Sequence, residues 1–275
     1  APDGELLGID RDAQAVEDAG CRLERFGGRL RTLQASFGRL GDIISEGGWG
    51  DGVDGVIADL GLSSLQLDDA GRGFSFMREG PLDMRMDRSL PLSAATLIAD
   101  QDEKGLARVL RVYGEERAAR RIARRIIERR DGGAMHTTTD LRQAVLAAGL
   151  RGRAGHDPAT RTFQALRIAV NGELDELEAL FEEGWRMLRP GGRMVIISYH
   201  SLEDRIVKHA FRRWAAECLC PPGQPLCNCG WTAKVRFVER RRRRPTEAEV
   251  RDNRRARSAG LRAVERLGEE QAGGA

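Results

Sequence analysis

The sequence predicts an α/β protein, an open parallel sheet interrupted by a helical insert, and three observations predict it. First, the apolar run Met194-Val195-Ile196-Ile197 follows Leu188-Arg189-Pro190-Gly191-Gly192-Arg193 and leads straight into Ser198-Tyr199-His200-Ser201-Leu202-Glu203-Asp204-Arg205. A helix stops at Pro-Gly-Gly, a buried strand starts, and polar, ionisable side chains crowd the carboxyl end of that strand, the edge where open α/β sheets bind ligands. Second, the first sixty residues alternate strand, helix and strand, the rhythm of a parallel sheet. Third, residues 91–170 read as helix throughout, yet sheet elements bracket them, so they form an insert and not a sequential domain.

In chain order, Leu6-Leu7-Gly8-Ile9-Asp10 is a short buried strand ending in an acid, and residues 12–25 read as a helix. Residues 30–35 are a second strand and Val53-Asp54-Gly55-Val56-Ile57-Ala58-Asp59-Leu60 a third. Residues 61–88 are rich in Gly, Ser, Asp and Arg. A loop of that length inside a domain is either functional or disordered. Within the insert, Leu106, Val109, Leu110 and Tyr113 fall at helical spacing. Ile122, Ala123, Ile126 and Ile127 form an apolar stripe opposite Arg117, Arg120, Arg121, Arg124 and Arg125. Thr137-Thr138-Thr139-Asp140 reads as a capped helix start. Leu174, Leu177, Phe181, Trp185 and Leu188 mark a helix that packs onto the sheet. The expected domains are therefore 1–88 with 170–238 as one discontinuous unit, 89–169 as the helical insert, and 239–275 as a basic C-terminal tail.

With 275 residues, 41% of them hydrophobic and 32% charged, the chain suits one large domain or a domain with an insert. No apolar run approaches the roughly 20 residues of a bilayer-spanning helix. No secretory signal pattern is read at its start. Five cysteines in a chain this long do not resemble a disulfide framework, so the cytoplasm is the expected location. The net charge of +3 is unevenly spread: residues 1–88 carry 10 Lys/Arg against 17 Asp/Glu, residues 89–169 carry 15 against 9, and residues 170–275 carry 20 against 16. Basic later parts joined to an acidic first part point to a polyanionic partner, the alternative being ordinary solvated helix faces.

Several residues are candidates for chemistry. Asp10 and Asp59 each end a strand; a carboxylate there can accept bonds from ribose hydroxyls, or simply cap a turn. Gln66 and Phe37 could line the same crevice, Phe37 by stacking on an adenine, or serve in packing. Asp83 and Arg85 lie in a loop that mixes aromatic, Met, Asp and Arg residues, whose apolar members need either the core or a flipped base as partner. His200 is a general base by type or a residue that orients its loop. Cys218, Cys220, Cys227 and Cys229 place four thiols within twelve residues and could hold Zn²⁺, although their C-x-C spacing is tighter than that of a zinc ribbon. Five consecutive arginines, Arg240 to Arg244, suit phosphates, or a solubilising tail.

Gly8-Ile9-Asp10-Arg11-Asp12, Ala58-Asp59-Leu60-Gly61-Leu62-Ser63-Ser64, Arg72-Gly73-Phe74-Ser75, Gly80-Pro81-Leu82-Asp83-Met84-Arg85-Met86, Thr162-Phe163-Gln164-Ala165-Leu166-Arg167-Ile168, His200-Ser201-Leu202-Glu203-Asp204-Arg205 and Arg255-Ala256-Arg257-Ser258-Ala259 occur in an order that resembles the bacterial 16S ribosomal RNA cytosine-N4 methyltransferases (MraW/RsmH-like). The resemblance covers nearly the whole chain. It implies a class I S-adenosylmethionine (SAM) methyltransferase sheet, Rossmann-like, with a helical insert that binds RNA. It implies methylation of the exocyclic N4 of a decoding-centre cytidine, SAM as cofactor, and 16S rRNA of the small ribosomal subunit, not DNA or membrane, as partner. By match of motif, Asp10 would take the cofactor's ribose hydroxyls, Phe37 and Asp59 would lie near its adenine and methionine parts, and Gln66 would close the pocket. Asp59 is the expected reaction centre, with Asp83, Arg85 and His200 supporting it. Arg117, Arg121 and Arg124 of the insert, with Arg241 and Arg243 of the tail, would bind phosphates.

Two features depart from the family pattern. The family's glycine-rich SAM loop precedes the position of Gly8-Ile9-Asp10, and this sequence begins too late to include it. A first strand, that loop and its helix are therefore expected to precede Ala1, and a chain starting here is expected to bind SAM poorly, because backbone N–H groups of the loop hold the methionine end. The alternative function is a catalytically inactive rRNA-binding remnant of such an enzyme. The second departure is Gly260, where the family usually has Lys.

Overall fold

A computed structural model describes residues 3–150, 152, 157–182, 184–224 and 226–268. In chain order its elements are β1 (Leu6–Asp10), α1 (Ala13–Arg22), β2 (Leu30–Gln34), α2 (Leu40–Glu46), β3 (Val53–Asp59), α3 (Ser64–Asp68), α4 (Ala94–Asp100), α5 (Glu103–Gly114), α6 (Ala119–Asp131), α7 (Thr138–Ala147), α8 (Thr160–Asn171), α9 (Glu173–Glu182), β4 (Leu188–Ser198), α10 (Ser201–Trp214), β5 (Val235–Phe237), α11 (Glu247–Asp252) and β6 (Gly260–Arg266). They fall into two compact units, Ala1–Ala35 with Leu62–Glu173, and Ser36–Gly61 with Leu174–Ala275.

In the first unit, β1 and β2 pair in parallel, from Leu6 opposite Leu30 to Asp10 opposite Gln34. The helix between them starts where the Asp12 side chain accepts the Gln14 N–H at 3.2 Å. It stops at Arg22, short of the expected residue 25, and passes into a tight turn in which Gly27 takes φ 55°. No residue of β1, α1 or β2 is fully buried. The core of this unit lies among α4 to α8, around Leu106, Leu110, Ile122, Ile126, Leu141 and Leu166. Each such side chain contributes roughly 1.5–3 kcal/mol on burial. The expected stripe on α6 faces inward, with Ile122, Ala123 and Ile126 fully buried and Ile127 packed against the core, while Arg117, Arg120, Arg121, Arg124 and Arg125 stay exposed. Thr137 and Asp140 form a reciprocal capping box at α7, as their spacing predicts.

The long loop after α3 is ordered, and a buried ion pair orders it. Arg72 Nη1 lies 2.7 Å from Asp12 Oδ2, and both side chains are only 8% exposed. The same Asp12 oxygen accepts from Gln66 Nε2 at 2.8 Å. Arg72 Nη2 donates to the carbonyls of Arg85 and Met86 at 3.0 and 2.9 Å. From the other side, Asn171 Nδ2 donates to Met84 O, and Asn171 Oδ1 accepts the Met86 N–H, both at 2.8 Å. Met84 is thereby held fully buried in a left-handed backbone, φ 60°. Gly73 turns the chain at φ 71°, and a Cβ there would meet Pro81 O at 2.1 Å.

The second unit holds a four-stranded sheet in the order β3-β4-β6-β5. β3 and β4 are parallel as expected, whereas β6 runs antiparallel to both its neighbours. Residues 260–266, within the stretch read as a basic tail, are therefore an inner strand, with Val264 fully buried. Its charges conceal it in the sequence. They are spent inside the unit, Arg262 on Asp204 and Glu265 on Arg193 and Arg236. The helix expected to run to Leu188 ends at Glu182, and β4 already begins at Leu188. Pro190-Gly191-Gly192 is a bulge within the strand, since Val53 pairs with Leu188 but Gly55 with Arg193. A Cβ on Gly192 would lie 2.8 Å from Arg189 O and 3.1 Å from Asp54 O, so the bulge closes only on glycine. Leu177, Phe181, Leu188, Met194, Ile196, Phe211 and Trp214 form the core, with Phe181 meeting Phe211 and Trp214 edge to face at 5.7 and 5.5 Å.

Arg72→Ala leaves the Asp12 carboxylate buried without its partner. Breaking such a pair costs about 3–5 kcal/mol, so urea unfolding is expected to show a loss of at least about 3 kcal/mol. A loss below about 1 kcal/mol would place the pair among solvated surface pairs.

Candidate active site

The carboxyl end of β1 presents Asp10. One of its oxygens accepts the Asp12 N–H at 2.8 Å. Surrounding protein lifts the carboxyl above its usual range; the charge of Asp12 adds to the lift, and backbone donors from Asp12 and Arg11 offset part of it. The side chain still reaches solvent. Asp12 joins Asp10 to Gln66, which is 7% exposed and also closes a capping box with Ser63 at the start of α3. One hydrogen-bonded chain therefore runs Asp10, Asp12, Gln66, Arg72 within the first unit. Of these, Asp12 and Arg72 had no role in the sequence reading; the detectable signal was an acid immediately before a helix.

Asp83 and Arg85 belong to the same unit and face each other. Arg85 donates through Nε at 2.7 Å and Nη2 at 2.9 Å to the two carboxylate oxygens. Burial works to lift the Asp83 pKa, but the side-chain and backbone bonds from Arg85 outweigh it and hold the carboxyl below its ordinary value. Arg85 also reaches the carbonyls of Arg88 and Leu90, so the pair braces the loop.

In the second unit, parallel strands β3 and β4 end side by side, with the Leu60 N–H bonded to Ile197 O at 3.0 Å. Asp59 ends β3 and Tyr199 follows β4, and the Tyr199 hydroxyl donates to Asp59 Oδ1 at 2.8 Å. Burial, then the bond to Asp59, pushes the Tyr199 pKa up to about 12. Asp59 is exposed. Tyr199 stood inside a quoted motif but was given no role, because a phenol after a strand has no distinctive pattern. Phe37 lies partly buried against the core of this unit.

His200 caps α10. Its Nδ1 accepts the Glu203 N–H at 3.4 Å, its Nε2 lies 3.2 Å from Glu203 Oε1, and Glu203 Oε2 accepts the backbone N–H groups of Tyr199 and His200 at 2.8 and 3.2 Å. Only Nδ1 is hydrogen-bonded; Nε2 is buried near Glu203 Oε1 without a hydrogen bond. Next along α10, burial tends to raise the Asp204 pKa, but the Arg262 fork at 2.8 and 3.1 Å and the charge of Arg242 hold it low. Arg242 turns inward to Ser198 O and Ser258 O, whereas Arg240, Arg241, Arg243 and Arg244 are exposed. A Cβ on Gly260 would lie 1.5 Å from Arg242 Nε, so glycine at this position makes room for that guanidinium.

In the first unit, Arg111, Arg117, Arg120 and Arg121 line a cleft of about 360 Å³ beside Glu116, Ala118 and Leu150. None of the four forms an ion pair with another described residue, whereas Arg124 pairs with Glu103 at 3.5 Å and Arg125 with Glu128 at 2.7 Å. The Glu116 carboxylate in the cleft is 6% exposed and accepts the Ala118 N–H. The four thiols of Cys218, Cys220, Cys227 and Cys229 lie together in the second unit. No helix among the described residues is long and apolar enough to cross a membrane.

Parallel strands ending in acidic side chains, one of these carboxylates hydrogen-bonded to a tyrosine, and a helical segment faced with arginine describe a class I SAM-dependent methyltransferase. The chain matches the MraW methylase family over residues 1–267 and belongs to it. It is 48% identical over 275 residues to a protein of Symbiobacterium thermophilum named ribosomal RNA small subunit methyltransferase H, covering 98% of this chain and 86% of the relative. A protein of the same name from Geobacter sulfurreducens is 50% identical, with coverage of 97% and 86%, and one from Syntrophobacter fumaroxidans is 46% identical, with coverage of 98% and 84%. The residues present fit the cofactor this family uses: Asp10 is exposed, and a carboxylate that accepts backbone donors from Asp12 and Arg11 retains acceptor capacity for a ribose diol.

The raised Tyr199 pKa has a measurable sign. The folded state holds the phenol's proton more tightly than the unfolded state does, so its contribution to stability is complete below pH 10 and is lost as pH rises through about 12. The chain has only two tyrosines. The ultraviolet difference between wild type and Tyr199→Phe is therefore expected to show a single tyrosinate transition near pH 12, and a transition at the ordinary value would remove the Asp59 hydrogen bond.

Proposed function

We propose that this protein transfers a methyl group from SAM to the exocyclic N4 of a decoding-centre cytidine in 16S rRNA of the small ribosomal subunit, in the cytoplasm. The relatives' names, which specify small-subunit ribosomal RNA, support the substrate class. The observation that carries the chemistry is the Asp59–Tyr199 pair at the ends of two parallel strands.

An exocyclic amine is a weak nucleophile because its lone pair is delocalised into the ring. When bound, the cofactor supplies the electrophilic methyl group. Tyr199 holds one Asp59 oxygen and thereby fixes the other, which accepts one N4–H and turns the lone pair toward its target. Such positioning can supply much of the rate, and the same carboxylate takes the proton that N4 loses. Asp10 accepts the ribose hydroxyls, with Gln66 setting the neighbouring network through Asp12. Phe37 offers a face to the adenine. Asp83, Arg85 and His200 act as positioning residues, the first two by bracing the loop after α3 and the third by capping α10 beside Tyr199.

The helical segment 89–169 is the RNA-facing part in this reading. Arg117, Arg121 and Arg124 meet phosphates together with Arg241 and Arg243, and the cytidine leaves its stack to be methylated.

The test is to incubate the protein with SAM and unmodified small subunits, digest the RNA and measure N4-methylcytidine by mass spectrometry. Asp59→Asn is expected to lower kcat on the order of 10²-fold while RNA binding is kept. Full activity in that variant would overturn the assignment of Asp59, and RNA binding without any product in wild type would favour the inactive RNA-binding remnant. In a separate salt titration, Arg117→Ala and Arg121→Ala are each expected to reduce the slope of log K against log salt by about 1; unchanged slopes would remove α6 and the residues just before it from the interface.

A further inference from the structure

The sulfur atoms of Cys218, Cys220, Cys227 and Cys229 lie within 4.8 Å of one another. Cys218 Sγ is 3.4 Å from Cys227 Sγ and 3.7 Å from Cys229 Sγ; Cys227 Sγ is 3.9 Å from Cys220 Sγ and 3.6 Å from Cys229 Sγ. A tetrahedral zinc ion with Zn–S bonds of about 2.3 Å sets its sulfurs about 3.8 Å apart. Disulfide sulfurs would lie about 2.05 Å apart, and all four cysteines are free. We propose that these residues form a structural Zn²⁺ site that clasps the connection between α10 and β5.

Apolar packing does not account for the cluster. Among the described residues 217–230 only Cys220 is half-buried and the rest are exposed, Leu226 at 81%. An exposed segment rich in Pro and Gly pays conformational entropy to gather four thiols, and exposed thiols bond weakly to one another. A metal ion supplies the missing free energy.

The feet of the segment are anchored. The Lys234 N–H donates to Trp214 O at 2.7 Å, and Trp231 Nε1 donates to Ala216 O at 3.0 Å. Between them, the Leu219 N–H points at Cys229 Sγ at 3.4 Å and the Cys220 N–H at Cys218 Sγ at 3.3 Å, the type of outer donor that stabilises a ligating thiolate. Gln224 Nε2 braces the turn through Leu226 O at 2.9 Å and Asn228 Oδ1 at 2.8 Å. An all-sulfur set selects zinc over magnesium or calcium. Four protein ligands leave no position for water or substrate, so the site is structural. Each thiol gives its proton to solvent as its sulfur binds, and no redox change occurs. The clasp stands apart from the methyl-transfer reading and does not depend on it.

The test is elemental analysis and thiol counting on the whole protein, purified without chelator and loaded with Zn²⁺. About one zinc per chain is expected, with Cys21 as the only fast-reacting thiol until a strong chelator exposes the other four. Co²⁺ in place of zinc should show the visible bands of a tetrahedral thiolate site. Cys218→Ser and Cys229→Ser should each lower zinc to roughly a tenth or less, and Cys21→Ser should leave it unchanged. The wild-type measurements decide the matter even if the ligand variants fail to fold. Five fast thiols without stoichiometric zinc, two disulfides by mass, or iron in place of zinc would overturn the assignment.

Discussion

A buried charge must keep its counter-charge, and the Asp12–Arg72 pair imposes that condition on the whole first unit. Asp12 caps α1, donates its N–H to Asp10, and accepts from Gln66 and Arg72 on one oxygen. Arg72 extends the network to the carbonyls of Arg85 and Met86. Three segments far apart in sequence are thus tied at one carboxylate, and none could move without stranding a desolvated charge. Such a pair adds less to net stability than its geometry implies, because desolvating both ions offsets most of their attraction. Its consequence is specificity: a loop full of Gly, Asp and Arg holds one conformation, and Asp10 is presented in one orientation.

The second unit solves a comparable problem at the ends of β3 and β4. Polar side chains that crowd a strand end must be satisfied by one another or by a ligand. His200 Nδ1 and the Glu203 carboxylate satisfy backbone N–H groups of the first turn of α10 and its cap. Asp204 is satisfied by Arg262 and Arg242, which also fastens β6 and the chain before α11 to the sheet. Asp59 differs. Tyr199 engages one of its oxygens while the side chain remains exposed.

Arginine is the commonest cation here, and its work divides by position. Arg130 is spent on the carbonyls of Ile98 and Gln101, and Arg129 on Asp140 and Gln143. One helical turn or more earlier, Arg117, Arg120 and Arg121 line the cleft by α6 without a carboxylate partner among the described residues. Within the run Arg240 to Arg244, Arg242 alone turns inward. Long side chains of equal charge are structural where carbonyls and acids surround them and solvated where they do not.

The sequence by itself determined the local elements. β1 was legible as a strand from Leu6-Leu7-Gly8-Ile9-Asp10, although, against expectation, none of its residues is buried, the inward stripe of α6 from Ile122, Ala123 and Ile126, and the α7 cap from Thr137 and Asp140, because a short apolar run, helical period and capping act over a few residues. The acids at strand ends, Asp10 and Asp59, were legible for the same reason. Only the tertiary structure decided that Arg72 reaches Asp12, that Tyr199 holds Asp59, that 260–266 is an inner strand, and that Pro190-Gly191-Gly192 lies inside β4. The first two pair groups 60 and 140 residues apart, the third sets residues 193–198 against 260–265, and the bulge depends on which strand lies alongside. No local pattern encodes such a partner, since the free energy resides in desolvation and pairing that exist only once distant segments meet.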